Sequence, residues 1–166
     1  MKTIMTALAL VAGLAASANA AEITRLTNPP PAIILGGVIL PPGAELFLLS
    51  GQLASPIDPS KPATSMDDYG DTRTQTISTF NKIKSALEKQ GYSLKDVVKL
   101  TVFVAGDPKL GGKMDFAGFN DGYKQFFGTT ENPNLVARST VQVAALAGPN
   151  FLVEIEATAA KLPAKK

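Results

Sequence analysis

The run Val97 to Val104, VVKLTVFV, constrains the fold of this chain more than any other segment. Val98, Leu100, Val102 and Val104 point one way while Lys99 and Thr101 point the other, the period-2 pattern of a strand with one apolar face. Such a strand needs a cover on that face and leaves the other to water or to another chain. The covers are written on either side of it. Ile77, Phe80, Ile83, Lys84 and Leu87 fall at helical spacing, with Asp71 or Thr72 to cap the start and Gly91 to close the end. Met114 to Phe127 predicts a second helix that buries Phe116, Phe119, Tyr123 and Phe126 or Phe127, closed by Gly128.

Four further strands follow from the pattern. Ile33 to Leu40 is an apolar run bent at Gly36-Gly37, and Leu46 to Leu49 is a short buried strand leading into Ser50-Gly51-Gln52. Ala137 to Ala145 places Arg138, Thr140 and Gln142 on one face, and Phe151 to Ala159 places Glu154 and Glu156 together. Residues 22–32, with Asn28-Pro29-Pro30-Pro31, read as an extended lead-in, and 54–65 as a surface loop. The order strand, strand, helix, strand, helix, strand, strand predicts an α+β domain, two helices on one face of a mixed sheet. The opposite face is expected to carry Arg138, Glu154 and Glu156 together.

The first twenty residues are set apart from the fold. Met1-Lys2, the apolar run Ile4 to Ala16 and Ala18-Asn19-Ala20 read as a secretory leader cleaved after Ala20, with a retained N-terminal anchor as the competing reading; the expected mature chain is periplasmic or secreted, residues 21–166, with its core over about 33–160. A mature chain of this length is one domain and builds a core without disulfides. Cysteine and histidine are both absent from the sequence. That excludes thiol and Ser-His-Asp chemistry and most zinc sites. Lys and Arg number 16 against 14 Asp and Glu, with no basic stretch, so there is no electrostatic footprint for nucleic acid.

Chemistry therefore rests on carboxylates, arginine, lysine, hydroxyls and amides. Arg138, in Ala137-Arg138-Ser139-Thr140, is a planar charged fork that matches a carboxylate through two parallel bonds. An internal salt bridge to Glu154 or Glu156 on a neighbouring strand is the competing reading, and spacing alone does not separate the two. Glu154-Ile155-Glu156 puts two carboxylates on one sheet face, where one could activate a water; an ordinary solvated strand face has the same pattern. Asn120 and Tyr123, three residues apart on the second helix, line a site or serve merely as cap and core.

These segments, in this order, resemble the RidA/YjgF family of imine deaminases. Ser50-Gly51-Gln52, the helix from Asp71 to Leu87, GYSLKDVVKLTVFV over 91–104, Asp115-Phe116 with Asn120, Tyr123 and Phe126-Phe127, and the closing ARSTVQVAAL and VEIEATA carry the likeness across residues 50–159. The chain departs from the family pattern at Val136, where a proline is usual, at Ile33 to Gly36, where the family has an aromatic residue, and in a longer loop over 106–113.

The resemblance implies a chorismate-mutase-like fold assembled as a homotrimer with clefts between subunits. It implies hydrolysis of 2-imino acids or their enamines to 2-oxo acids and ammonia. Arg138 would hold the carboxylate and Glu154 the hydrolytic water, with Asn120, Thr140, Ser50 and Gly51 lining the pocket. No metal or organic cofactor is required, and no nucleic-acid or membrane partner is expected of the mature chain. A binding-only module for small carboxylates and a ribonuclease are the competing functions.

Overall fold

The fold is seen in a computed structural model, which describes residues 22–162; the expected leader, its cleavage site and the last four residues lie outside that range. Asp71 ends an extended segment and its carboxylate accepts from the Thr74 amide at 2.8 Å, which starts α1 (Thr72–Lys89). Gly91, at φ +75°, ends it in the left-handed conformation that glycine adopts without a Cβ clash. The helix buries Phe80, Ile83 and Leu87 fully, whereas Lys84 is exposed; Thr72, Gln75, Thr76 and Thr79 complete the buried stripe. Gln75 is held by three bonds, to Gly70, Asn150 and Leu152, so its burial strands neither end of the amide.

The second helix, α2 (Phe116–Tyr123), is shorter than its sequence pattern, because the chain turns after Tyr123. Asp115 caps it through the Gly118 amide at 2.8 Å. Phe119, Tyr123 and Phe127 are buried, but Phe116 remains 44% exposed, a departure from its expected place in the core. The two helices approach closely at Gly122, where a Cβ would stand 2.7 Å from the Thr76 methyl.

Both helices cover one face of a six-stranded sheet made of β1 (Thr24–Thr27), β2 (Leu35–Ile39), β3 (Glu45–Leu53), β4 (Val97–Ala105), β5 (Ala137–Val143) and β6 (Val153–Lys161). Its order is β1-β2-β5-β4-β6-β3. β4 runs parallel to β5 and antiparallel to β6, and β2 meets β5 in parallel only at Leu35 and Ala137. β1, inside the segment expected to be mere lead-in, pairs antiparallel with β2. A register shift between Val97 and Lys99 sends Val97, rather than Val98, into the main core with Leu100, Val102 and Val104. The α+β architecture with a mixed sheet is the one the sequence predicts.

Candidate active site

Register decides where the charged side chains go. Arg138 lies opposite Leu100, and Leu100 opposite Ala157, so Arg138 shares the helix-covered face with the core. Glu154 lies opposite Phe103, three residues from Leu100, and therefore faces the other way, as does Glu156 opposite Thr101. The expectation that Arg138, Glu154 and Glu156 share one open face is thus incorrect. The internal salt bridge fails for the same reason, since β4 stands between β5 and β6.

At the edge of the core, α2 builds a seat for Arg138. The guanidinium carbon stands 4.5 Å from the Tyr123 ring centroid, 5.0 Å from Phe119 and 5.9 Å from Phe116. Nη2 donates to the Asn120 side-chain oxygen at 2.8 Å. Nη1 is buried without a partner, and so is the hydroxyl of Thr140, two residues along the same strand face. All ion pairs among the described residues are made by lysines, so no carboxylate neutralises Arg138. Burial lowers its pKa, yet guanidinium stays protonated at any ordinary pH. An unneutralised cation with one unpartnered nitrogen, and an unpartnered hydroxyl on the same strand face, have the chemistry to take an anion.

The bed under the guanidinium is itself fixed. The Tyr123 hydroxyl donates to the Ile33 carbonyl at 3.0 Å, and burial pushes its pKa up to about 12, so the phenol stays neutral. Beyond Thr140, Gln142 accepts from the Met114 amide at 3.0 Å and donates to the Gly112 carbonyl at 2.9 Å, pinning the long 106–113 loop against the end of β5. Of the aromatic bed only Tyr123 figures among the sequence candidates, as a residue that lines a site or serves as core, and the clamp does not figure at all. Phe116, Phe119, Asn120 and Tyr123 at helical spacing are the signal that marks the bed.

The remaining expected residues form a second group on the opposite face. β3 shifts register between Leu49 and Gln52, and the Glu154 side chain packs on Gly51, where any Cβ would collide with the carboxylate. Ser50 and Glu156 are exposed beside it, lining a hollow of about 240 Å³ with Lys99 and Thr101. Arg138, Asn120 and Thr140 are brought together by one chain; Ser50, Gly51 and Glu154 are brought together elsewhere on it.

The family model for Endoribonuclease L-PSP matches residues 43–161. A RutC family protein of Pyrococcus horikoshii is 38% identical over 117 residues, 70% of this chain and 80% of that protein. A 2-iminobutanoate/2-iminopropanoate deaminase of Salmonella typhimurium is 35% identical over the same shares. Among solved structures, a protein of the conserved Rid family from Yersinia pestis superposes with a TM-score of 0.60 at 25% identity, over 81% of this chain and 96% of that one. TdcF of E. coli with bound serine gives 0.53 at 31% identity, over 75% and 91%. With most of its length matched by the family model and by relatives of this similarity, the chain belongs to the endoribonuclease L-PSP family, the group of the RidA, YjgF and RutC proteins.

Proposed function

We propose that this protein is a cofactor-independent hydrolytic deaminase that converts 2-imino acids to 2-oxo acids and ammonia, working in the periplasm or outside the cell after loss of its leader. The observation that carries the reading is the Arg138 guanidinium, buried against aromatic rings, free of any carboxylate and holding an idle Nη1, with the idle Thr140 hydroxyl on the same strand face. A substrate carboxylate that reached Nη1 and the Thr140 hydroxyl would give each a partner. Relatives named 2-iminobutanoate/2-iminopropanoate deaminase support the reaction class, and the serine bound to TdcF supports a small amino-acid-like ligand.

The chemistry asks little of the protein. A protonated imine is already an electrophile. Water adds to C2, the O–H proton passes to nitrogen, the C–N bond breaks and the carbonyl forms, so that iminium and water give 2-oxo acid and ammonium. Arg138 fixes the carboxylate so that C2 faces one side only. Glu154 accepts the proton of the attacking water and returns it to the leaving nitrogen. Glu154 lies on the far face of its own sheet, so in this reading it serves the Arg138 group of a second copy, which is how a homotrimer would complete each cleft. Exposed Leu46, Leu48 and Val141 on the Glu154 face give that association an apolar surface, Leu48 being 71% exposed.

The test is purified mature protein added to imines generated in situ by an amino-acid oxidase, with 2-oxo acid release followed in time. Acceleration by wild type and its loss in Arg138→Ala are expected. Binding of a 2-oxo acid without acceleration would assign the chain to the binding-only alternative, and RNA cleavage abolished by Arg138→Ala would overturn both.

A further inference from the structure

The strand that carries Arg138 is gripped from below by a part of the chain that the family model does not match, residues 22–42. Arg25 of β1 reaches past β2 and donates from Nη1 to the Leu135 carbonyl at 2.7 Å and to the Val97 carbonyl at 3.1 Å. Its Nη2 donates to the Val97 and Lys95 carbonyls, both at 3.0 Å. One half-buried guanidinium thus holds three main-chain oxygens. Val97 begins β4, and Leu135 stands two residues before its parallel neighbour β5. The next grip comes one residue later, where the Leu35 amide donates to the Val136 carbonyl at 2.9 Å. A third comes from the side, where the Ile33 carbonyl accepts the Tyr123 hydroxyl at 3.0 Å, and Tyr123 is the ring closest to the Arg138 guanidinium.

From these contacts we infer that residues 24–35 form a strap in which Arg25 is a positioning residue, setting the height of β5 and of the aromatic bed beneath Arg138. The physical ground is specific. β4 pairs with β5 along the whole length of β5, from Lys99–Ala137 to Ala105–Val143, but on the other side β2 meets it only at the Leu35–Ala137 pair, so that side of β5 and the chain leading into it have few strand bonds. The guanidinium supplies the missing bonds, and its fork meets carbonyls that an ammonium cannot all reach. Partial burial lowers its pKa, an effect offset in part by Asp96, and it remains a cation whose buried side these carbonyls satisfy. A shift in β5 or Tyr123 displaces the anion seat without touching the substrate.

This inference rests on Arg138 as the anion seat, and its test separates the two. The sequence has no tryptophan and three tyrosines, so Tyr69→Phe with Tyr92→Phe leaves Tyr123 as the sole tyrosine reporter. In that background, Arg25→Ala should change the Tyr123 absorption and fluorescence of the unliganded protein. It should also raise KM and the pyruvate dissociation constant roughly tenfold while kcat stays within about twofold, the signature of lost anchoring. Arg25→Lys should fall between. If wild type has neither activity nor pyruvate affinity, the deaminase reading fails, and the Tyr123 signal alone then decides the strap. An unchanged Tyr123 signal in Arg25→Ala, or lowered thermal stability with wild-type KM, overturns it.

Discussion

Arg138 and Glu154 lie on opposite faces of the same sheet, one among the helices opposite Leu100 and the other opposite Phe103 with β4 between their strands. Each is complete with its own neighbours: Asn120, Thr140 and three aromatic rings around the arginine, Gly51 beneath the glutamate. The cation never meets the carboxylate within one chain. That separation leaves Arg138 without an internal carboxylate partner among the described residues, as the proposed anchoring role requires.

Replacing Arg138 should divide function from stability. Arg138→Met removes a buried charge that no carboxylate offsets, so thermal unfolding should stay level or rise by a few degrees. Burial lowers its pKa, but a guanidinium stays protonated at any ordinary pH, so the desolvation cost is present throughout that range and the Met variant should show this at every pH tested. Affinity for 2-oxo acids should fall about ten- to a hundredfold, since the charge-assisted bond lost from Nη1 contributes about 1.5–3 kcal/mol. Arg138→Lys should lose much of that affinity as well. Calorimetric titration with pyruvate checks both; tight binding by the Met variant contradicts the anchoring role.

Asn120→Asp gives the complementary result. A carboxylate 2.8 Å from Nη2 would pair with Arg138 internally, raising stability by about 1 kcal/mol and weakening anion binding about tenfold or more. Asn120→Ala, which adds no charge, should weaken binding less. Equal losses in the two variants would mean that Asn120 acts only through shape.

Gly51→Ala should move the Glu154 carboxylate, because the new Cβ and Glu154 Cδ would be 2.8 Å apart. Glu154 is only half-buried and can swing away, so the stability cost should stay under about 1 kcal/mol, at the low end for overpacking. The expected loss is in kcat, about tenfold, with KM little changed. In the Glu154→Ala background the same substitution should cost nothing further, and an additive loss would argue against a shared role.

Tyr123 gives a pH signature. Burial raises its phenol to about 12 in the folded chain, against about 10 unfolded. The stability this contributes is fully present below pH 10 and is lost as pH rises through 12, on the order of 2–3 kcal/mol over that window. Wild type should therefore lose stability more steeply than Tyr123→Phe between pH 10 and 12. Parallel curves in denaturant titrations would show that this phenol does not control alkaline unfolding.

The sequence made the elements legible but not their mutual facing. The caps at Asp71 and Asp115, the helical spacing and the alternation in β4, β5 and β6 all act locally, so the pattern exposed them. Alternation says that Arg138 and Thr140 share a face, and Glu154 and Glu156 another. It does not say which face each is, because that depends on register between strands far apart in the chain. The same long-range information decides the shift that exchanges Val98 for Val97 in the core, and the pairing of β1 with β2 through a proline-rich stretch that carries little strand signal. Phe116 matched the helical stripe and still lies half outside, because α2 ends the core beside Arg138 rather than beneath it.

Complementation between two impaired variants probes most directly a site shared between copies. Arg138→Ala and Glu154→Ala chains are each expected to assemble with turnover reduced to a small residual rate. Unfolded together and refolded as a mixture, they should regain roughly a quarter of wild-type activity, the statistical share of clefts that receive an intact arginine from one copy and an intact glutamate from the next. A mixed assembly, verified by mass, that is no more active than its parents would contradict the shared site.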